Sequence, residues 1–543
     1  MLAGEFGAAS RLPPTALRLY AEQRLLVPAD TDPVTGYRYY LDLSDDGSVG
    51  VGADFVEVER QWRSGVAAMA TAGAHILVED NFVSGTVGSI TTLWSTPASP
   101  TPTIWPASFV PTSGTPGSPD GSTRGSSRPM TWILSDAMKR TLITGGQVFD
   151  GTGSEPATAD VVIEGDRIVA LGSGLDGDEV VDATGQTVVP GLFDCHTHVM
   201  MSGVDLLKSM SRPFSLPFFQ AVGNLRTTVE CGITFVRDAG GADLGVAEAV
   251  RRGLVLGPRM QISVSPISQT GGHGDGWLVC GASLKVNHPG APSGIVDGPE
   301  EARKKIREVI RAGADVIKIM TSGGVLSPRD DPRHGHFRDD EIAMMVAEAT
   351  AAGLFVMSHA QAADGIKAAV RNGVRSIEHG IYLDDEAIEL MLERDAWLVP
   401  TLVAPRAVLD IAAAGGGLQP EVVEKARMVA DVHTEAVCRA VAAGVKIAMG
   451  TDSGVGAHGN NLDELRLMVE CGMSPAAALH ATTRSAAELC GVADDLGTIE
   501  VGKRADLTFF DGDVLDLIPK GGANMREAVS QVWIDGRVVH KRT

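Results

Sequence analysis

The sequence is poor in aromatic residues and in cysteine, and it has no long apolar run. Aromatic residues make up 5% of the 543 residues, and the six cysteines are scattered without paired spacing. This usage is typical of a reduced cytoplasmic protein and argues against a disulfide-stabilised secreted scaffold. Because no uninterrupted apolar run of about 18 residues is present, no membrane span is expected. No secretory signal pattern is found at the N-terminus.

Positive charge is also scarce. The chain has 46 Lys and Arg against 68 Asp and Glu, which gives a formal net charge of −22. Non-specific nucleic-acid binding depends on attraction between basic side chains and phosphates, so this balance opposes it. The 44% hydrophobic content and 64 glycines fit an α/β protein with a large core. A small molecule is therefore the expected partner, and the sequence leaves a homo-oligomer open.

The first 137 residues differ in composition from the rest of the chain. Residues 96–129 are dominated by Pro, Ser, Thr and Gly and are predicted to be a low-complexity linker. The segment R-L-P-P-T-A-L-R-L-Y, followed by G-Y-R-Y-Y, makes residues 1–40 resemble a MerR-type DNA-binding head. The further helices and the dimerising coiled coil of that family are missing after Tyr40. We therefore interpret residues 1–137 as an atypical extension.

Short apolar runs alternate with amphipathic helical stretches from residue 187 onward. This alternation indicates βαβ units and a parallel sheet, and eight such units predict a closed (β/α)8 TIM barrel over residues 188–497. The runs are Val188–Phe193, Ile233–Arg237, Met260–Pro266, Val316–Met320, Leu354–Met357, Arg375–Ile377, Trp397–Thr401 and Val445–Met449.

Strand patterns also flank the predicted barrel. Residues 138–187 contain short apolar segments separated by Gly and Asp turns, and residues 498–543 contain further segments of the same kind. The later segments, Asp506–Phe510 and Val529–Val539, could complete the β unit that begins before the barrel. The predicted fold is therefore α/β, with a TIM barrel inserted in a small β-sandwich.

Metal-binding side chains stand just past the ends of several runs, where barrel enzymes place their active sites. His196 and His198 lie two residues apart on an extended segment, so their side chains point the same way and can hold one ion. A single histidine at a strand end is more often structural, but a set converging on one barrel mouth reverses that expectation. The other members are Lys318 in the fourth run, and His359, His379 and Asp452 after the fifth, sixth and eighth runs.

This order of side chains resembles the amidohydrolase superfamily over residues 138–543. The motifs T-G-G-H-G-D-G-W after the third run and T-S-G-G-V-L-S-P after the fourth are similar to its prolidase-like and imidazolonepropionase-like branch. The resemblance implies a hydrolase that cleaves an amide or peptide C–N bond by attack of a metal-bridging hydroxide. A dipeptide or an N-acyl amino acid is the implied substrate.

The resemblance also implies two divalent metal ions, zinc first, with manganese or cobalt able to take the same ligands. One ion would be held by His196, His198 and Asp452, and the other by His359 and His379. Lys318 would bridge both as a carbamate. Two cations would repel a lysine ammonium but attract the carbamate anion. The alternative is Lys318 as an ion-pair residue of the barrel interior.

Asp452 is expected to be catalytic, because a carboxylate beside the attacking oxygen can accept its proton and deliver it to the leaving nitrogen. His273 and Tyr382 are candidate substrate-binding residues on the loops after the third and sixth runs, and a structural role is equally open for both. The loop after the fourth run offers further polar and charged side chains, namely Arg329, His334, His336 and Arg338.

Two other classes remain open. The first is a mononuclear imidazolonepropionase-like cyclic amidase or deaminase, which would have no need of the bridging lysine. The second is a DNA-binding regulator with a degenerate enzyme body, which the retention of the whole ligand set opposes. Lys318 is therefore the residue that distinguishes a two-metal site from a one-metal site.

Overall fold

The computed structural model describes residues 139–542 except 206–207, 209–210, 279, 285–287 and 328, together with residues 30–31 and 38–39. The chain divides into two units, Met1–Arg128 and Pro129–Thr543. In the first unit, strands β1 (Asp30–Thr31) and β2 (Arg38–Tyr39) pair antiparallel. The rest of the MerR-like fragment and the whole predicted linker lie outside the described residues. None of the described helices combines the length and the apolar character needed to cross a membrane.

The second unit begins with short strands joined by glycine-containing turns. The strands Asp160–Glu164 and Arg167–Gly172 meet at a turn where Gly165 has a φ of 62°, a backbone conformation that favours glycine. The strands are β3 (Arg140–Thr144), β4 (Gln147–Val148), β5 (Ala157–Thr158), β6 (Asp160–Glu164), β7 (Arg167–Gly172), β8 (Glu179–Asp182) and β9 (Gln186–Pro190).

Eight parallel strands follow, and they form a three-stranded and a five-stranded sheet in chain order. Two isolated parallel bridges connect these sheets. One joins Ile267 to Ile319, and the other joins Thr197 to Ser453. These strands alternate with helices, as expected for an α/β fold of the TIM-barrel type. They are β10 (Leu192–Thr197), β11 (Ile233–Asp238), β12 (Arg259–Ile262), β13 (Ile317–Met320), β14 (Val356–Ala360), β15 (Ser376–His379), β16 (Trp397–Val399) and β17 (Lys446–Ile447).

Several helices begin and end at residues that favour helix termini. The helix from Pro299 has proline in its first turn, the Asp384 carboxylate accepts a hydrogen bond from the Ala387 N–H at 2.9 Å, and Gly444 ends the longest helix in a left-handed conformation. The main helices are α1 (Leu216–Glu230), α2 (Leu244–Arg251), α3 (Pro299–Arg311), α4 (Asp339–Ala351), α5 (Ala363–Arg371), α6 (Asp385–Glu393), α7 (Val403–Ala413), α8 (Pro420–Ala443), α9 (Asp463–Glu470), α10 (Pro475–Ala481) and α11 (Arg484–Leu489).

The last strands return to the sheets that precede the parallel strands. Strand β18 (Leu507–Asp511) pairs antiparallel with β9, and β19 (Val529–Ile534) and β20 (Arg537–Lys541) extend the same sheet. Two short helices, α12 (Val514–Leu517) and α13 (Gly522–Ala528), lie between β18 and β19. The resulting order is β20-β19-β18-β9-β4-β5, and a second sheet has the order β7-β6-β3-β8. Buried side chains from both sheets form one apolar cluster.

The predicted first run, Val188–Phe193, is divided between two strands in the structure. Strand β9 belongs to the mixed sheet with β18, and the parallel strand β10 begins only at Leu192. The chain changes sheet at Gly191, where an added Cβ would lie 2.1 Å from the Thr234 hydroxyl oxygen. One continuous apolar segment can contribute a strand to each of two sheets, because both of its strands are buried.

Candidate functional site

A cavity of about 700 Å³ lies among the loops that follow the parallel strands. Such clefts are the usual place for ligands in barrel enzymes. The cavity is lined by all six predicted metal ligands, His196, His198, Lys318, His359, His379 and Asp452. The fold therefore brings together side chains that the sequence spreads over more than half of the described chain.

His196 lies in β10 and His198 directly follows that strand. Each of the two has one ring nitrogen in a hydrogen bond. Nδ1 of His196 lies 2.7 Å from Oε2 of Glu378, and Nδ1 of His198 lies 2.8 Å from the carbonyl oxygen of Gly240. These partners fix the ring orientation and leave Nε2 as the remaining nitrogen. A second partner of this kind is typical of metal-binding histidines.

The other two histidines are held in the same way. Nε2 of His359 lies 3.1 Å from the carbonyl oxygen of Gly323, and Nδ1 of His379 lies 2.7 Å from the hydroxyl oxygen of Thr401. The rings of His359 and His379 have centroids 4.7 Å apart, which places them side by side in the cavity. Each again keeps one ring nitrogen for a ligand.

Asp452 completes a group of metal-binding atoms. One ligand atom each from His196, His379 and Asp452 lie within 4.8 Å of one another. Nε2 of His198 is 3.2 Å from Oδ1 of Asp452, yet no donor among the described residues completes a hydrogen bond to that buried oxygen. A buried carboxylate oxygen without a donor is costly, so it fits a position that a cation would occupy.

The protonation states suit metal binding. Burial holds the pKa of His196, His359 and His379 well below the ordinary value, so these imidazoles are neutral and keep a free lone pair. Burial also lowers the pKa of Lys318 to about 8, although Glu378 and Asp452 act in the opposite direction. The amine of Lys318 lies 3.4 Å from Nε2 of His196. The donor set therefore fits divalent ions.

Two of these side chains owe their direction to left-handed backbone. His379 has a φ of 71° and Asp452 a φ of 56°, conformations that cost about 1–3 kcal/mol for residues other than glycine. Regular strand alternation would send Glu378 and His379 to opposite faces. Instead, Glu378 binds His196, and the ring of His379 lies 5.0 Å from the ring of the same His196.

Residues 187–539 match the amidohydrolase family. The matched region covers more than half of the chain and contains every predicted metal ligand. The chain belongs to the amidohydrolase family. It is accordingly a hydrolase acting on C–N bonds, in a family that generally uses divalent metal ions.

Relatives of this amidohydrolase include the ochratoxinase of Aspergillus niger, 34% identical over 437 residues that cover 76% of this chain and 89% of the relative. A solved Xaa-Pro dipeptidase with bound methionine is 32% identical, with a TM-score of 0.68 and coverage of 74% of this chain and 100% of that one. A prolidase complexed with N-methylphosphonate-L-proline is 38% identical, with a TM-score of 0.69 and the same coverage.

The amidohydrolase site rests on a buried ion pair that sequence reasoning missed. Arg237 donates to Oε1 of Glu378 at 3.0 Å and to the carbonyl oxygen of Cys195 at 2.7 Å, while Ser376 donates to Glu378 at 2.6 Å. The available signal was a charged residue at the end of the second apolar run and another directly after the sixth run, since a charge is buried in a core only with a partner.

Asp194 is a second buried support. Its carboxylate accepts hydrogen bonds from the Thr451 hydroxyl at 2.6 Å, the Asn461 amide at 2.8 Å and the backbone N–H of His196 at 3.1 Å. Burial raises the pKa of Asp194 to about 6. The bonds tie β10 to the segment after β17 and so hold His196 beside Asp452.

The predicted substrate-binding residues are placed differently from one another. His273 lines the cavity, stacks on His359 with ring centroids 4.2 Å apart, and has Nδ1 2.6 Å from the Ser327 hydroxyl. Gly324 makes this packing feasible, because an added Cβ would lie 2.3 Å from the His273 ring. Tyr382 does not line the cavity, and its buried hydroxyl has no hydrogen-bond partner among the described residues.

Of the four polar or charged residues named from the sequence on the loop after β13, one lines the cavity. Arg329 lines it, whereas His334, His336 and Arg338 do not. Cys195, next to the first metal-ligand candidate, is fully buried and its sulfur lies 3.8 Å from that of Cys490. Cys195 therefore packs in the core and does not face the cavity.

Proposed function

We propose that this amidohydrolase uses two divalent metal ions to cleave an amide or peptide bond in a small substrate such as a dipeptide or an N-acyl amino acid. One observation carries the proposal. Four imidazoles share one cavity, three of them kept neutral by burial, and each has one ring nitrogen already hydrogen-bonded. They lie beside a buried Asp452 oxygen that has no donor among the described residues. Such oriented ligands are what a metal site requires.

The ligands divide into two sets in this proposal. His196, His198 and Asp452 would hold one ion, His359 and His379 would hold the other, and Lys318, as a carbamate, would serve as a ligand to both. When bound, zinc, manganese or cobalt would supply Lewis-acid polarisation of the scissile carbonyl and activate water. The depressed pKa of Lys318 leaves part of its amine neutral near pH 8, the form that reacts with carbon dioxide.

Asp452 moves the proton. Burial alone would raise the pKa of this carboxyl, but the imidazole of His198 and the charges around it lower the pKa below its ordinary value. Asp452 is thus ionised and able to accept a proton from the attacking water at Oδ1, the oxygen without a donor. It then releases that proton to the leaving nitrogen, which prevents loss of a strongly basic amide anion.

The substrate class follows from the relatives and the cavity. The similar proteins include an Xaa-Pro dipeptidase, a prolidase and an ochratoxinase. A two-metal centre recognises only a carbonyl and a leaving group, so the loops must choose the substrate. We propose that the substrate has a free carboxylate and that His273, which lines the cavity, helps to bind it.

A mononuclear cyclic amidase or deaminase is the second candidate. The compact group of His196, His379 and Asp452 could hold a single ion. An imidazolonepropionase of Geobacillus sp. is 26% identical over 390 residues, covering 67% of this chain and 83% of the relative. Lys318 favours two ions, because a single-metal site gains nothing from a bridging anion.

The architecture belongs to the same proposal. We propose that the eight parallel strands close into a (β/α)8 barrel over residues 188–497 and that this barrel is inserted in a β-sandwich of residues 138–187 and 498–543. The pairing of β9 with β18 supports the insertion. Residues 1–137 are proposed to be an extension outside the enzyme.

The deciding experiment is metal analysis of the purified full chain with a screen of dipeptides and N-acyl amino acids. We expect close to two divalent ions per chain and loss of hydrolysis on chelation, with recovery on metal addition. One ion per chain would favour the mononuclear candidate. Full activity without metal would contradict both.

A further inference from the structure

Two long basic side chains line the cavity in the described part of the chain. Among the described residues that line it, Lys318 and Arg329 are the only lysine or arginine. Lys318 is 2% exposed and belongs to the proposed metal centre, whereas Arg329 is exposed to solvent. Arg329 is therefore the cation that an arriving substrate meets.

The other nearby cations are already paired. The Lys425 ammonium donates to the Ser327 carbonyl oxygen at 2.8 Å and to the Asp330 carboxylate at 3.1 Å. Arg333 pairs with Asp331 at 2.6 Å. Arg329 has no carboxylate within ion-pair distance in the described part of the chain. Its charge remains available to a ligand.

The carboxylate next to Arg329 in sequence does not cancel that charge. Asp330 is 2% exposed at its side chain and is surrounded by Lys425, by the ring of His273 at 3.4 Å and by the Ser327 hydroxyl. These groups hold the pKa of Asp330 at about 2, although burial opposes the shift. The charge of Asp330 is thus balanced by Lys425 and the other groups around it, while Arg329 faces the cavity.

The two predicted substrate-binding residues are less available to a substrate carboxylate. Nδ1 of His273 is occupied by Ser327, and its ring is stacked on His359. Tyr382 stands outside the cavity lining. Apolar side chains make up much of the remaining wall, including Val325, Leu326, Ile381, Val408 and Val455. A ligand with one anionic group and an apolar body matches this surface.

We propose that Arg329 is a specificity-determining residue that binds the free α-carboxylate of an apolar amino acid in the substrate. This inference rests on the proposed amide hydrolysis and refines it. A guanidinium can form two parallel hydrogen bonds to a carboxylate, so it fixes orientation as well as supplying charge. The chain as a whole is strongly acidic and therefore repels an anionic substrate. A local cation such as Arg329 offsets this repulsion.

The test compares Arg329→Gln with Arg333→Gln, a control from the same loop whose arginine does not line the cavity. The substrates are N-acetyl-L-phenylalanine and N-acetylphenethylamine, the same amide without the carboxylate. We expect Arg329→Gln to lower kcat/KM for the acid about 10- to 30-fold, mainly through KM, and to leave the neutral amide within about twofold. The acid-specific loss should shrink at high ionic strength, because salt screens exposed charge.

A binding measurement separates this inference from the proposed reaction. Calorimetric titration with L-phenylalanine and with phenethylamine needs no turnover, and Arg329→Gln should weaken only the amino acid. Unchanged acid-to-amide ratios and unchanged L-phenylalanine binding in Arg329→Gln would overturn the role of Arg329 while hydrolysis stands. Failure of metal-loaded wild type to cleave any tested amide would instead count against the proposed function.

Discussion

Nδ1 of His196 lies 2.7 Å from Oε2 of Glu378, although the two residues are 182 positions apart in the sequence. The same Glu378 carboxylate accepts a hydrogen bond from Arg237 through its other oxygen. The proposed metal ligand is thus oriented by a buried ion pair, and we expect the stability of the fold and the affinity for metal to depend on the same carboxylate.

Glu378→Gln should weaken metal binding about 10- to 100-fold, because the amide orients and polarises the His196 ring less well than a carboxylate. It should also destabilise the protein, since Arg237 would stay buried without a counter-charge. Metal titration and thermal unfolding measure the two effects. Glu386→Gln is the control, because that side chain is 71% exposed and pairs only at the surface.

Lys318→Ala should lose most hydrolytic activity and about one metal ion per chain. The variant removes the proposed bridging anion and leaves the other ligands in place. Metal content and turnover are measured with and without added short carboxylic acids, which should restore part of the activity. Two bound ions and wild-type turnover in the variant would make Lys318 a structural barrel residue.

Asp452→Asn should reduce kcat by about 10² to 10⁴-fold, the usual contribution of a proton-transferring group, with a further loss if metal binding weakens. KM should change less. Steady-state kinetics at saturating metal separate the two contributions. A variant altered only in KM would show that a different group moves the proton.

Glu464 should make the protein less stable as pH rises. Its buried carboxyl accepts hydrogen bonds from the N–H groups of Leu402 and Val403 at 2.8 and 2.9 Å, yet burial raises its pKa from 4.5 to about 8. Between these values the folded state binds more protons than the unfolded state, so the free energy of unfolding falls with increasing pH across that window.

Glu464→Gln should remove this pH dependence, because the amide does not titrate. Its stability at low pH should be lower by about 1–3 kcal/mol, since one of the two backbone N–H groups loses its acceptor. The check is the midpoint of thermal unfolding from pH 4.5 to pH 8.5 for both proteins. Parallel curves would show that Glu464 keeps its ordinary pKa in the folded protein.

The sequence by itself determined the α/β class and the family. Alternating apolar runs and helices predict parallel strands, since a strand buried on both faces needs a continuous apolar run, and the comparisons confirm the amidohydrolase family. The proposed ligand set could also be predicted from the sequence, because His196, His198 and their companions stand at the ends of the predicted apolar runs or inside them.

The tertiary structure alone decided which side chains meet. The left-handed backbone at His379 and Asp452 overrides strand alternation, and no local pattern encodes it. The pairing of Glu378 with both His196 and Arg237 joins three strands, so it exists only once they are assembled. Likewise, Arg329 faces the cavity and Tyr382 does not, because loop packing sets their directions. Sequence spacing fixes neighbours along one strand, whereas contacts between different strands depend on how all the strands between them pack.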